Sequence, residues 1–138
     1  MNGSDRNIVV TGASSGIGLK VAEQLMERGA RVIAMDRNPP PLGVAVHMKV
    51  DLGDPDSIDV AIVALGDAPI HGLCNIAGVP QMAGDMAVCR VNYLGLRHLT
   101  LRLLPQLARG AGVVGVELPT DGGLSASRFA SGMQQGKP

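Results

Sequence analysis

Residues 11–18 read Thr11-Gly12-Ala13-Ser14-Ser15-Gly16-Ile17-Gly18, between a short apolar run and an amphipathic one. The run before them, Asn7–Thr11 (NIVVT), has the β-branched character of a buried strand. The run after them, Ile17–Arg28, puts Ile17, Val21 and Leu25 on one face and Lys20, Glu23, Gln24 and Glu27 on the others, and Gly29 ends it. Strand, glycine-rich turn and helix in that order make an anion-binding unit. One glycine permits the turn, a second lets backbone N–H groups approach a pyrophosphate, and a third lets the helix pack close to the sheet. The positive end of the helix then faces the ligand. Ser14 and Ser15 add hydroxyl donors. A turn that binds nothing can carry the same letters, and the spacing GxxxGxG departs from GxGxxG. The segments around it decide.

Outward from the turn, short apolar runs alternate with amphipathic ones. Arg31–Met35 (RVIAM) reads as a second strand, and NPPPLG at 38–43 turns the chain without a full crossover helix. Val44, Val46, Met48 and Val50 alternate in a third strand, Val44–Val50. Asp54-Pro55-Asp56 starts a helix running to about Leu65, with proline tolerated in its first turn. His71–Ile76 (HGLCNI) is a fourth strand. A long helix is predicted from about Asp85 to Ala108, and a fifth strand near Val113–Leu118. The helix has Leu94, Leu96, Leu99, Leu101, Leu103, Leu104 and Leu107 around most of its circumference, which predicts burial on more than one side. The alternation predicts an α/β fold: a Rossmann-type, doubly wound parallel sheet in three layers.

Composition bounds the function. With 46 % hydrophobic and 17 % charged residues the chain is globular, and 138 residues make a single domain with a real core. Its 12 basic and 12 acidic residues cancel, which argues against nucleic-acid or membrane-surface binding. Tyr93 and Phe129 are the only aromatics, too few for a single-strand stacking platform. Cys74 and Cys89 stand in different elements without CxxC or clustered His, so two buried reduced thiols are expected and no metal site. The start MNGSDRNIVV has no apolar run after a basic start, and no stretch suits a membrane span, so a cytoplasmic protein is expected.

Asp36 ends the second strand, 18 residues after Gly18, where an acid can accept hydrogen bonds from an adenosine ribose. A carboxylate there repels a 2′-phosphate and favours NAD over NADP. Arg37 argues the other way, since an arginine beside that ribose can hold the phosphate. By itself the pair Asp36-Arg37 also suits a solvated strand end.

TGASSGIG at 11–18, Asp36, Val50-Asp51-Leu52, Asn75-Ile76-Ala77-Gly78 and Val91-Asn92-Tyr93-Leu94-Gly95 together resemble the short-chain dehydrogenase/reductase family, from residue 7 to about 108. The resemblance implies hydride transfer between a nicotinamide ring and a small-molecule carbonyl or alcohol. It implies cofactor contacts from Gly12, Ser14, Ser15, Gly16, Ile17, Gly18, Asp36 and Arg37, with Asp51 and Leu52 flanking the adenine. Asn75, Ala77 and Gly78 would lie under the nicotinamide ribose; the family has NNAG here and this chain NIAG. Asn92 would be the catalytic-site asparagine that organises a proton-relay water. The short second crossover and the 14 positions from Gly78 to Asn92 are similar to the hydroxysteroid dehydrogenase/carbonyl reductase branch.

The family's reaction also needs a tyrosine, a lysine four residues after it, and a serine after the fifth strand. An unassisted phenol near pKa 10 is a poor base at neutral pH. Tyr93 is the only tyrosine, and Arg97 stands four positions on. YLGLR is therefore a decoy: it occupies the slot of a different family motif, and arginine does not reproduce a lysine's geometry. Ser125 and Ser127 lie in a small, polar tail.

The stretch GAGVVGVELPTDGGLSASR, residues 110–128, suggests where the relay went. Its first part resembles the approach to the family's fifth strand, and GVELPTDGG resembles the end of its last one. About a hundred residues would be missing near Val114–Gly115, against about 200–250 for a single α/β domain. Asp121-Gly122 is also an ordinary turn pair. On the seam reading, residues 1–112 are the N-terminal half of one dinucleotide-binding domain, 115–128 its last strand and 129–138 a tail. The 85–108 helix would lose its cover and favour a homo-oligomer. The chain would then be a truncated, catalytically silent remnant.

Overall fold

The computed structural model describes residues 6–41, 43–44 and 46–115. Five strands form one sheet: β1 (Asn7–Thr11), β2 (Arg31–Asp36), β3 (Val46–Lys49), β4 (Ile70–Cys74) and β5 (Leu107–Val114). Their order across it is β3-β2-β1-β4-β5, and every pairing is parallel. The central strands are near-continuous apolar runs because helices cover them on both sides. Val10, Val32 and Ala34 face Ala22 of α1 (Gly16–Glu27). Val9, Ile33, Met35 and Leu73 face the opposite way, with Ile58 and Ala61 of α2 (Pro55–Leu65) and with Leu99 and Leu103. The result is the three-layer, Rossmann-type sheet. Among the described residues no helix joins β2 to β3, as the proline run predicts.

Two helices differ from their sequence reading. Ile17 does not join Val21 and Leu25 against the sheet; it is 75 % exposed, because it lies in the first turn, beyond the strand ends. The expected 85–108 helix runs without a break from Asp85 but ends at Gln106, and its winding changes along the way. It comprises α3 (Asp85–Val88), a π-helical stretch Cys89–Gly95, α4 (Leu96–Leu103) and a final 3₁₀ turn, Leu104–Gln106. Pro105 lacks an N–H and stops the helix there. Leu107 and Ala108 therefore open β5, which ends at Val114 and not at Leu118. Only one side of α4 is covered: Leu99 and Leu103 are fully buried, while Leu94, Leu101 and Leu104 are about half exposed. Cys89 is exposed, not buried; Cys74 is half-buried, and both thiols are free. Burial pushes the Cys74 thiol up.

Asp54 caps α2 by accepting the Asp56 N–H at 3.0 Å, with Pro55 in the first turn. Further along α2, Asp59 Oδ1 lies 2.8 Å from His98 Nε2 and 3.0 Å from Arg102 Nε, tying α2 to α4. The His98 hydrogen bond, with Arg102 beside it, holds the Asp59 carboxyl below the usual carboxylate range. A depressed carboxyl stabilises the fold above its unfolded value, and that contribution is lost as pH falls through the folded value. Stability against urea should therefore fall through the acidic carboxylate range, and Asp59→Asn should flatten that part of the profile.

No helix among the described residues is long and apolar enough to cross a membrane. They also hold no group of three or more His, Cys, Asp or Glu that could hold a metal ion.

Candidate functional site

The direction in which successive strands are added to the sheet reverses between β1 and β4: β1 leads toward the β2–β3 side and β4 toward the β5 side. Such a switch point opens a crevice beyond the carboxyl ends of the strands. A cavity of about 350 Å³ lies there. Of the sequence-derived candidates it gathers Gly12, Ser14, Ser15, Ile17, Gly18, Asp36, Arg37, Asp51, Leu52, Ala77 and Gly78. Gly16, Asn75 and Asn92 do not line it; Gly16 opens α1, and the other two act from behind.

The glycine turn is built by contact. A Cβ on Gly18 would stand 2.0 Å from the Gly12 carbonyl oxygen, and one on Gly12 would stand 2.8 Å from Ala77 Cα. Both approaches are backbone to backbone, so no side chain can move aside. Gly12 also has φ +69°, which suits a residue without a Cβ. The next residue group is open: Ser15 is the N-cap of α1, its side chain makes no capping bond, and it is exposed. The first-turn N–H groups of α1 lack a side-chain partner from the cap and face the crevice.

Thr11, which the sequence reading passed over, staples the two sides of the switch point. Its Oγ1 accepts the N–H groups of Ile76 at 2.9 Å and Ala77 at 3.0 Å, and donates to the Cys74 carbonyl at 3.4 Å. A polar residue that ends an apolar strand directly before the first glycine was the available signal. Asn75 is a buried neighbour: its Nδ2 donates to Thr100 Oγ1 at 3.1 Å, while its Oδ1 has no partner among the described residues. Asn92, in the π-helical stretch, holds the far wall. Its Oδ1 accepts the Val79 N–H at 2.8 Å and its Nδ2 donates to the Val79 carbonyl at 2.9 Å. The segment after β4 is thus fixed from one side by Thr11 and from the other by Asn92.

Asp36 stands at the end of β2, half-buried, with three hydrogen bonds from the protein. Its Oδ2 accepts the Ser14 N–H at 3.1 Å and the Ser14 hydroxyl at 2.9 Å; its Oδ1 accepts the Asn38 N–H at 2.9 Å. Ser14 therefore spends its donors on Asp36 instead of on an anion at the helix. Asn38 was legible as an Asx turn, in which an aspartate bonds the N–H two residues on. Arg37 is exposed beside it. Asp51 Oδ1 accepts the Gly53 N–H at 2.9 Å and its N–H donates to Ser57 Oγ at 2.9 Å, which leaves Leu52 buried behind it. Tyr93 and Arg97 are not among the residues lining this crevice; Arg97 lies on a separate groove with Arg90, Leu94 and His98.

An open helix N-terminus, a glycine turn without room for side chains and a carboxylate at the β2 end suit an extended ligand. Its middle would be anionic and one end rich in hydroxyls. A parallel α/β sheet with a crevice at its switch point is the fold of the Rossmann type. Comparison with known proteins makes the assignment particular. Residues 6–116 match the short chain dehydrogenase family model. The chain belongs to that family, whose members bind a nicotinamide dinucleotide.

Coniferyl-alcohol dehydrogenase of Pseudomonas sp. is 47 % identical over 113 residues, covering 82 % of this chain and 44 % of that protein. The uncharacterized oxidoreductase YbbO of Escherichia coli K12 is 32 % identical over 150 residues, covering 91 % and 56 %. A crystal structure of an oxidoreductase (short chain dehydrogenase/reductase) from Brucella ovis superposes with a TM-score of 0.65 at 32 % identity, covering 80 % of this chain and 60 % of that one. The chain thus spans about half the length of the curated relatives it matches.

Proposed function

We propose that this chain is the dinucleotide-binding half of a short-chain oxidoreductase, that it prefers NAD to NADP, and that it does not transfer hydride by itself. The observation that carries the reading is the convergence of three features on one crevice: the open N-terminus of α1, the Gly12–Gly18 contact and the Asp36 carboxylate. A pyrophosphate would lie against the first turn of α1 and the adenosine ribose against Asp36. Asp51 and Leu52 would flank the adenine, and Ala77 and Gly78 would lie under the second ribose, with Asn75 behind them. Bound dinucleotide supplies a hydride donor or acceptor. The protein side of the chemistry is what the sequence lacks, for no tyrosine is followed by a lysine four residues on. Asn92 would support a relay water only in the presence of that pair. Residues 115–128, of which 116–128 lie outside the described residues, would be the last strand of the same single domain, joined at a seam near Val114–Gly115. A cytoplasmic location accords with the two free thiols.

NADH formation with a panel of secondary alcohols tests the silent reading; the expected result is no turnover above buffer, and real turnover overturns it. A second reading is favoured by the 47 % identity to coniferyl-alcohol dehydrogenase. On that reading, the same half-site joined to a complete catalytic half would serve an alcohol or ketone oxidoreductase. That relative's alcohol and hydroxysteroid-like carbonyls are the substrates to assay.

The reading also includes self-association through the 85–108 segment, supported by the exposure of Tyr93, Leu94, Leu101 and Leu104 on one stretch of chain. Exposed apolar patches of this kind mark interaction surfaces. Size-exclusion chromatography should show a concentration-dependent shift to a dimer or larger species, reduced by Leu101→Lys with Leu104→Lys. A clean monomer at high concentration contradicts it.

A further inference from the structure

We infer that the groove between the start of α2 and residues 90–98 binds a small phosphomonoester with an apolar body. The site is separate from the dinucleotide crevice. The groove holds about 560 Å³ and lies across the Leu52–Gly53 turn from that crevice, with Leu52 lining both.

A backbone contact makes the groove. Gly95 packs against the turn so closely that a Cβ there would stand 2.0 Å from the Leu52 carbonyl oxygen. With helix and turn joined at that point, the longer side chains around it stand up as walls. Arg90, Leu94 and Arg97 follow at helical spacing along one side of the stretch, with His98 next to them. Asp54 and Pro55 line the groove from the start of α2. Leu101 and Leu104, further along α4, do not line it.

The charges on this groove do not balance. His98 and Arg102 share Asp59, whereas Arg90 and Arg97 have no carboxylate within 4.0 Å among the described residues. Asp54 is the one acid lining the groove, and its Oδ1 already accepts the Asp56 N–H. His98 Nε2 is held by Asp59 at 2.8 Å, and a carboxylate only accepts, so Nε2 carries a hydrogen. Protonated, the ring adds a third cation to the groove. A phosphomonoester brings a charge of about −1.5 to −2 at neutral pH and three acceptor oxygens. Two guanidinium forks can share those oxygens, whereas a carboxylate is satisfied by one fork. The apolar body follows from the other walls. Leu94 is about half exposed and Pro55 is exposed. The cavity has room for more than the anion alone, since small-molecule sites run to about 300–1,000 Å³.

The test is titration of the 138-residue chain with phenyl phosphate, inorganic phosphate and phenol, followed by NMR of the ligand. Phenyl phosphate should saturate with a Kd on the order of 1 mM, inorganic phosphate should bind more weakly, and phenol should not bind. Arg90→Gln and Arg97→Gln should each weaken phenyl phosphate about fivefold, the upper worth of an exposed ion pair. The two together should abolish binding. Leu94→Ala should bring phenyl phosphate down to the affinity of inorganic phosphate. All three positions are exposed, so thermal midpoints should stay at the wild-type value, and the losses then report the groove. Undiminished binding in the double arginine variant would place the phosphate elsewhere, such as the first turn of α1, and overturns the inference. No saturation in the wild type, or phenol binding as tightly as phenyl phosphate, overturns it as well.

Discussion

Gly18→Ala should abolish dinucleotide binding and destabilise the fold by ~3 kcal/mol, the upper range for overpacking a closed site. The added Cβ would stand 2.0 Å from the Gly12 carbonyl oxygen and 2.6 Å from its carbon. A flexible side chain could yield, but here the obstacle is the backbone of the turn itself. Relief requires α1 to move away from the end of β1. That movement separates the first turn of α1 from the crevice and disturbs the Gly12 N–H bond to the Met35 carbonyl at 3.0 Å. It also reaches Ala77, which already lies against Gly12. Urea denaturation measures the stability loss, and titration with NAD measures the binding loss. Gly16→Ala is the instructive comparison. A Cβ there meets nothing within 4 Å, and only its φ of +55° resists the change. Its cost should be about 1 kcal/mol, the ordinary penalty of left-handed backbone for an L side chain.

Asp36→Ala should have the second-largest effect, and it should fall on the choice of ligand. The variant removes the charge that opposes a 2′-phosphate and leaves Arg37 in place beside the crevice. The ratio of NAD to NADP affinity should drop by about tenfold or more, as expected for a charge-assisted hydrogen bond together with relief of like-charge repulsion. Fold stability should fall as well, by roughly 2 kcal/mol, because Asp36 accepts three hydrogen bonds that join the turn, β2 and the segment after it. Calorimetry with each dinucleotide gives the first number and urea denaturation the second. An unchanged preference would mean that Arg37, and not Asp36, governs the ribose.

The contrast between these two sites shows what the amino-acid sequence made legible. Gly12, Gly18 and Asp36 were legible only in context, because the glycine spacing and a strand-end acid each suit a plain turn by themselves, and the surrounding motifs singled them out. All three line the same crevice. The central strands were plainer, since parallel strands covered on both faces leave apolar runs that little else explains. What spacing could not give was partnership. That Ser14 turns its hydroxyl to Asp36, 22 residues away, depends on how the turn folds over the strand end. That Asn92 grips Val79 depends on the π-helical stretch, which has no distinct sequence signature. Leucines at 94–107 suggested a helix continuous to Ala108, but Pro105 outweighed them and handed Leu107 to a strand. Hydrophobic periodicity identifies a buried face; it does not say where the backbone changes state.

The leucines of the 85–108 segment divide between a covered and an open side. A helix that covers the sheet with Leu99 and Leu103 but leaves Leu94, Leu101 and Leu104 about half exposed lacks a partner among the described residues. In the same chain the glycine turn, the acid and the walls of the crevice are assembled to hydrogen-bonding distance.

The most direct test is a calorimetric titration of the purified chain with NAD. The expected result is saturable heat at one site per chain, with NADP binding more weakly under the same conditions. No saturable heat with NAD, accompanied by no thermal shift, would contradict it.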